Sequence, residues 1–507
     1  MRILGLACEP WQTKFMFRLL SKLAKFTNIE CVSLGIMDFY QMVHNVPTIK
    51  ELDIPENMEI RTQDDMYKSW QVLQEDGEKL KKIDLALWEK TNCIEGGRTL
   101  SEIQMGNALT NQWEREKYWL PYTKYWEERV LKDTIIWCEN YLKEFQPDIV
   151  ICLERYELAQ SIMQELCRTQ KIKTLTFITS RIGNRWIARR DFGYGTSEDT
   201  KIEIEEAASN PELMIQAQNL AEELRSRFKG AYDSAAYNET VRSLKMQKNP
   251  VKFFLRDLRK LAGDIYSRHV IGPKRMTVKV VRFGENQIHF TLLKIRRLLI
   301  SYMHASGIKF WGSKKLPKEP YFFWALHARP EASVLVLGDG RDELDELRKF
   351  LKLVPPGHTL AVKENPEMFG MRKNGFYSEL KSEPNIYLVD PYADTSFFVR
   401  NSVGVIGISG TVLLEAALLD KPVCALGRPE FEACLTYHGW NSAEIFISDY
   451  NLNQLKTDMM TITQYLAYVL SKSDIRDVKY DSDLNSEMME VMINRFSLEV
   501  FEYLSKT

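Results

Sequence analysis

The sequence predicts an α/β protein built from two doubly wound, Rossmann-like domains that face a cleft and carry helical insertions. Three observations predict this. Short buried apolar runs recur along the chain, bounded by turn residues. Helical patterns of about 10–15 residues separate them, the βαβ rhythm of a parallel sheet. The rhythm occurs twice, in the first 200 residues and again after Pro317, with a strand-poor stretch between.

Arg2–Ala7 (RILGLA) reads as the first strand. Phe15, Leu19, Leu20 and Leu23 follow at helical spacing, and Glu30–Gly35 reads as the second strand. Residues 40–143 are rich in Glu, Lys, Trp and Tyr and read as a mainly helical insertion. Pro147–Leu153 (PDIVICL), a helix over 157–168 and Lys173–Ile178 (KTLTFI) continue the sheet domain. Residues 200–315 have helical periodicity without a strand pattern. The second sheet reads as Tyr321–Leu326, Thr359–Lys363, Asn385–Val389, Val403–Ile408 and Pro422–Leu426, with helices over 342–353 and 412–419. Ser482–Leu504 is helical and could reach back to the first domain. The expected units are therefore 1–200, a basic helical region over 201–316, a second sheet domain over 317–480, and a returning helix over 481–507.

Composition narrows the function classes. Of 507 residues, 45% are hydrophobic and 27% charged, which excludes a disordered or fibrous chain. Lys and Arg number 68 against 69 Asp and Glu, so the whole chain is no strongly basic nucleic-acid binder. The charge is uneven, however. Residues 251–315 hold 15 Lys or Arg against 3 Asp or Glu, a net +12 that leaves −13 on the rest. Phe253, Phe254, Leu255, Leu258, Leu292 and Leu299 interleave with those cations. The stretch suits an anionic membrane surface or an anionic acceptor, but it reads more readily as a helical subdomain whose Lys and Arg face is solvated or pairs with acidic parts of this chain. Eight scattered cysteines form no C-x-x-C pair, so buried thiols in a reducing compartment are expected and a zinc or redox site is not. No apolar run of about 18 residues and no signal-peptide core occurs, which points to a cytoplasmic protein, peripheral to the membrane at most.

In doubly wound sheets ligands bind at the carboxyl ends of strands. Ser409-Gly410-Thr411 lies where a buried strand enters a helix. The first-turn N–H groups there can hold an anion, and Glu415, one turn further on, can reach sugar hydroxyls. By spacing alone the segment reads equally as a helix capped by Ser409 with Glu415 in solvent. Lys363 ends the strand TLAVK, and His327 follows the strand YFFWAL; each alone reads as readily as structural.

Taken in order, YFFWALHARPEASVLVLG, VKENP, YLVDPYADTSFFVR and GISGTVLLEAALLDKPVCALGRPEF resemble the capsular polysaccharide (surface carbohydrate) biosynthesis family, with its Kdo-transferase-like members. Such proteins look like GT-B glycosyltransferases. The resemblance covers roughly residues 318–435. It implies that Lys363, Ser409, Gly410, Thr411 and Glu415 hold a nucleotide-sugar donor, CMP- or UDP-linked, with His327 and Glu331 beside it. It makes 317–480 the donor domain and 1–200 the acceptor side. One position departs from the family pattern. Asn365-Pro366 stands where relatives often have His-Pro, and Asn cannot act as an acid or base at neutral pH.

On this reading a sugar passes from the nucleotide to a glycan or lipid-linked acceptor. The leaving charge would be met by main-chain amides, Lys363 and His327, so neither a metal nor a separate cofactor is expected. A catalytic carboxylate would come from a strand end of the first domain, Glu9, Glu154 or Glu157, with Glu154 favoured. Two alternatives stay open: a nucleotide-sugar 2-epimerase-like enzyme, and a non-catalytic component of a capsule-assembly complex.

Overall fold

A computed structural model describes residues 1–7, 10–36, 54–62, 83–93, 98–106, 124–153, 158–182, 185–190, 195–227, 249–266, 287–307, 311–328, 332–338, 341–372, 375–472 and 486–505.

The first half runs β1 (Arg2–Ala7), α1 (Pro10–Leu23), β2 (Cys31–Ile36), β3 (Met58–Thr62), α2 (Leu85–Asn92), α3 (Leu100–Gly106), α4 (Lys124–Phe145), β4 (Ile149–Leu153), α5 (Leu158–Gln170), β5 (Lys173–Thr179) and β6 (Trp186–Arg189). These strands form one six-stranded sheet in the order β3-β2-β1-β4-β5-β6. All pairs are parallel except β5 with β6. β1 and β4 are buried along nearly their whole length, as parallel strands covered on both faces must be. Gly5 lets α1 lie close on β1: a Cβ there would stand 2.8 Å from Met16 and Leu20 side-chain atoms.

Two edge strands lie where the sequence suggested none. Within the span read as helical, Met58–Thr62 (MEIRT) pairs with β2, its residues alternating in character. Trp186–Arg189 is only four residues long and pairs antiparallel, outside the βαβ rhythm.

Among the described residues, the helices α6 (Glu198–Ala208), α7 (Pro211–Arg227), α8 (Pro250–Tyr266) and α9 (Gln287–Ala305) link the sheets. The second half then runs β7 (Tyr321–Ala325), α10 (Ala332–Leu335), α11 (Glu343–Leu351), β8 (Thr359–Lys363), α12 (Phe376–Ser382), β9 (Ile386–Val389), α13 (Thr395–Asn401), β10 (Gly404–Gly407), α14 (Thr411–Leu418), β11 (Val423–Ala425), β12 (Tyr437–His438), α15 (Ser442–Asn451), α16 (Met459–Lys472) and α17 (Ser486–Ser505). Its sheet has the order β12-β11-β10-β7-β8-β9 and is parallel throughout. Read from β9, this is the same 3-2-1-4-5-6 order as in the first sheet. Both halves are thus doubly wound, with flanking helices.

The halves share packing and polar contacts. Ile204, Ala207, Ala217 and Ala221 of α6 and α7 lie in one core with Leu413, Leu466 and Val469 of the second half. Ile178, Ile182 and Ile187 of the first half join the same core. Arg181 clasps Glu430 through Nε at 3.1 Å and Nη2 at 2.9 Å. The Thr196 N–H donates to Glu432 Oε1 at 2.7 Å. α17 returns to the first half, where Met489, Met492, Ile493, Phe496 and Val500 pack among Phe15, Leu19 and Phe177. Phe496 stacks on Phe177 at 3.7 Å between centroids.

Candidate functional site

In each sheet the winding reverses beside its first strand, and the crevice at that reversal is where such folds bind ligands. In the second sheet the reversal lies between β7 and β10, so the residues after Ala325 and after Gly407 face each other.

After β10 the chain turns at Ser409 and Gly410 into α14. Gly410 is the N-cap, in extended conformation, and as a glycine it has no side chain to cap the helix. The N-cap position is thus Gly410 and not Ser409. The Leu413 N–H is held by the Gly410 carbonyl at 3.0 Å. The N–H groups of the first turn face the reversal with a partial positive charge. Ser409 is buried, and Thr411 and Glu415 are half-buried.

After β7, Leu326 N–H donates to the Lys363 carbonyl at 2.8 Å, which fixes the turn carrying His327. His327 is 7% exposed. Its Nδ1 lies 2.7 Å from Glu343 Oε1, and its own main-chain N–H donates to both oxygens of that carboxylate at 3.0 and 3.3 Å. Trp324 Nε1 and Arg372 Nη1 also approach Glu343, at 3.5 and 3.8 Å. With donors converging on it, Glu343 is an acceptor, so Nδ1 carries the ring proton. That leaves Nε2 facing the turn, where the Ser409 N–H donates to it at 3.4 Å. A Cβ on Gly410 would stand 3.0 Å from this Nε2. The glycine is needed here because the imidazole fills the space a side chain would use.

Behind the dyad sits a buried polar hub. Arg372 donates to Glu364 through Nε at 3.0 Å and Nη2 at 2.8 Å, and to the His327 carbonyl at 2.6 Å. The Tyr377 hydroxyl adds a 3.0 Å bond to Glu364 Oε2. Burial works against the Arg372 charge, but Glu364 and then Glu343 hold its pKa well above the usual value. Burial, reinforced by Glu364, likewise pushes the Tyr377 hydroxyl far up.

Lys363 ends β8 and is buried. Burial lowers its pKa to about 8, against the pull of Asp390, Glu364 and Asp394. Its Nζ makes no ion pair or hydrogen bond among the described residues. β8 and β10 flank β7 on opposite sides, so Lys363 stands two strand spacings, roughly 10 Å, from the 409–411 turn. Asp390, beyond β9, takes a 3.2 Å contact from His304 Nε2. Burial alone would raise the Asp390 pKa, but His304 and the Tyr392 N–H bring it below the ordinary value.

The structure thus brings His327, Ser409, Gly410 and Thr411 together and sets Lys363 apart toward β9. Glu154, Glu157, Glu9, Arg329 and Glu331 lie outside the described residues. Sequence reasoning missed Glu343, Glu364 and Arg372. The first stands just inside a helix start, where a carboxylate is ordinary, although Glu343 is only 1% exposed. Among the described residues no group of His, Cys, Asp and Glu could hold a metal, and no helix is long and apolar enough to cross a membrane.

No curated protein matches the chain. Three solved structures are similar in outline. The β-Kdo 2,4 transferase of Thermosulfurimonas dismutans KpsC is 14% identical, covers 62% of this chain and 78% of its own, and gives a TM-score of 0.35. The β-Kdo 2,7 transferase of the same KpsC is 10% identical over 75% and 98%, with a TM-score of 0.34. A UDP-GlcNAc 2-epimerase from Neisseria meningitidis, bound to UDP-GlcNAc, is 12% identical over 100% of both chains, with a TM-score of 0.25. At these scores the architecture rests on the strand order above. Residues 279–480, which hold His327, Glu343, Lys363, Arg372 and the 409–411 turn, match the family of capsule polysaccharide biosynthesis proteins.

Proposed function

We propose that the protein is a glycosyltransferase of capsule or surface polysaccharide biosynthesis that takes a sugar from a nucleotide-sugar, CMP- or UDP-linked, to a glycan or lipid-linked acceptor. One observation carries the reading: a helix start at Gly410 opens at the sheet reversal directly against the Glu343-held imidazole of His327. The donor's phosphate oxygens would accept from the N–H groups at 409–412. Protonated at Nε2, His327 would release the Ser409 N–H and donate to the leaving phosphate, while Glu343 stabilises the imidazolium. Lys363, whose Nζ makes no hydrogen bond or ion pair among the described residues, would supply further positive charge as the nucleotide departs. Transfer without a metal is the expected course, and Glu415 the expected ribose contact. A carboxylate of the first half, Glu154 in the first instance, would act on the acceptor. The finer reading also includes a cytoplasmic location at an anionic membrane, met by residues 251–315.

Incubation of the chain with a panel of nucleotide-sugars, with and without glycan acceptors and with and without a chelator, tests this. Acceptor-dependent release of free nucleotide is expected. Release of a C2-epimerised sugar without acceptor would instead establish the epimerase alternative. Titration calorimetry on Glu415→Ala should show nucleotide affinity weakened by about tenfold, the loss of one or two hydrogen bonds.

A further inference from the structure

We propose that α8 is a surface-docking helix whose occupant is an anionic lipid membrane. On α8 the side chains of Val251, Leu255, Leu258 and Tyr266 are 56%, 51%, 44% and 58% exposed. At 3.6 residues per turn they fall within an arc of about 80°. A soluble helix normally turns such a stripe inward. Here the inward face is a different one. Phe254 packs on Tyr302 of α9 at 4.8 Å between rings, and Asp257 and Leu261 are buried. The exposed stripe therefore continues the packed face outward and ends on a cationic edge, where Arg259, Lys252, Arg256 and Lys260 follow in angular order, all exposed.

The charge of that edge chooses the occupant. Asp257, 7% exposed, pairs with the Arg256 guanidinium at 3.2 Å, so Lys252, Arg259 and Lys260 carry the charge of the edge. The surrounding stretch 251–315 carries a net +12 against −13 on the remainder of the chain. Two antiparallel copies meeting stripe to stripe about a two-fold axis would bring these cationic edges together, a repulsive arrangement. An apolar wedge beside Lys and Arg is the layout by which a helix lies in the headgroup layer of an anionic bilayer, its apolar side sunk about 5–10 Å.

α8 is coupled to the candidate site through α9. Arg296 of α9 donates to the Gly370 carbonyl at 3.0 Å and also to the Arg372 carbonyl. Gly370 has φ +84°, and a Cβ there would stand 3.0 Å from the Arg297 Cα, so helix and loop are in close contact. Arg372 in turn holds the His327 carbonyl. A membrane under α8 would thus lie alongside the segment that positions His327. The docking itself stands without the transferase reading; only the delivery of a membrane-borne acceptor rests on it.

The test is co-sedimentation of the full chain with vesicles of neutral phosphatidylcholine and with vesicles that also contain an anionic phospholipid. Binding to the anionic vesicles alone is expected, falling as salt is raised. Leu255→Asp with Leu258→Asp should reduce the partition coefficient at least tenfold. Lys252→Gln, Arg259→Gln and Lys260→Gln should each reduce it about fivefold, the weight of one charge near such a surface. Because these side chains are exposed, thermal melting and nucleotide affinity should not change, which separates this result from any failure of the transferase reading. Hydrogen exchange on the unmodified chain gives a readout free of substitutions, with amides of 250–266 slowed by anionic vesicles. Wild-type protein that stays in the supernatant, Asp variants that still sediment, or a dimer that the Asp variants dissolve would each overturn the proposal, the last by giving the stripe to a second copy.

Discussion

In the N-terminal sheet the winding reverses between β1 and β4, and in the C-terminal sheet between β7 and β10. The strand order is the same, yet what is buried near the two reversals differs in kind. Near the first lie Gln12 and Thr13 at the start of α1 and Gln160 and Ser161 at the start of α5, all buried and all uncharged. Near the second lie His327, Glu343, Glu364 and Arg372, also buried, three of them full charges and one a proton carrier. Buried charges are tolerable only with partners in good geometry. Among the described residues the first reversal holds polar side chains and one buried cation, Arg98, bonded to Ser161, whereas the second holds a linked imidazole, carboxylates and guanidinium, and that linked cluster marks the site.

Unfolding should show the largest contrast. Arg372→Met leaves Glu364 and Glu343 buried without their cation and should cost about 3–5 kcal/mol in denaturant titration. Gln160→Leu, at the first reversal, should cost about 1 kcal/mol. Equal losses would erase the distinction. Next in size is Glu343→Gln, which keeps the shape of the dyad but not its charge. The rate of sugar transfer should fall on the order of 10²-fold, with the acid-side limb of the pH profile displaced. An unchanged rate and profile would reduce Glu343 to a structural residue.

Lys363 sharpens the comparison through pH. Its pKa in the folded chain is about 8, below the ordinary 10.5, so it is charged at pH 7 and loses its proton as pH rises through 8. Nucleotide affinity should therefore weaken above pH 8, and Lys363→Met should lower it about tenfold at pH 7 while flattening the dependence. The sign for stability is opposite. A group whose folded pKa is depressed in this way binds fewer protons folded than unfolded between about 8 and 10.5, so its contribution improves as pH climbs through that window. The smallest effect belongs to Gln12→Leu, for which nucleotide affinity should be unchanged by calorimetry. A loss there would place nucleotide contacts at the first reversal as well.

Much of the fold was legible because parallel strands buried on both faces leave continuous apolar runs, as in IVICL and TLAVK. The short edge strands escaped. MEIRT mixes charge with apolar residues, and the two-residue β12 is too brief for any period to show. The site was half legible. Ser409-Gly410-Thr411 and His327 follow buried strands closely, so position alone nominates them. Glu343 and Arg372 act on His327 from 16 and 45 residues away, and nothing in local spacing links them. Glu364 was overlooked between Lys363 and Asn365 because consecutive polar residues at a strand end suggest solvent, whereas both Lys363 and Glu364 are buried. At Gly410 the close neighbour within this chain is the imidazole, which local spacing does not reveal.

The last helix has a consequence for how the chain is made. Phe496 inserts between Phe15 and Phe177, at 5.6 and 3.7 Å, and with Met492 and Val500 closes a face of the first sheet. During synthesis that face stays bare while about 300 further residues emerge. A chain ending at residue 480 should present a first half that is readily cut by protease, with resistance returning when residues 486–505 are present.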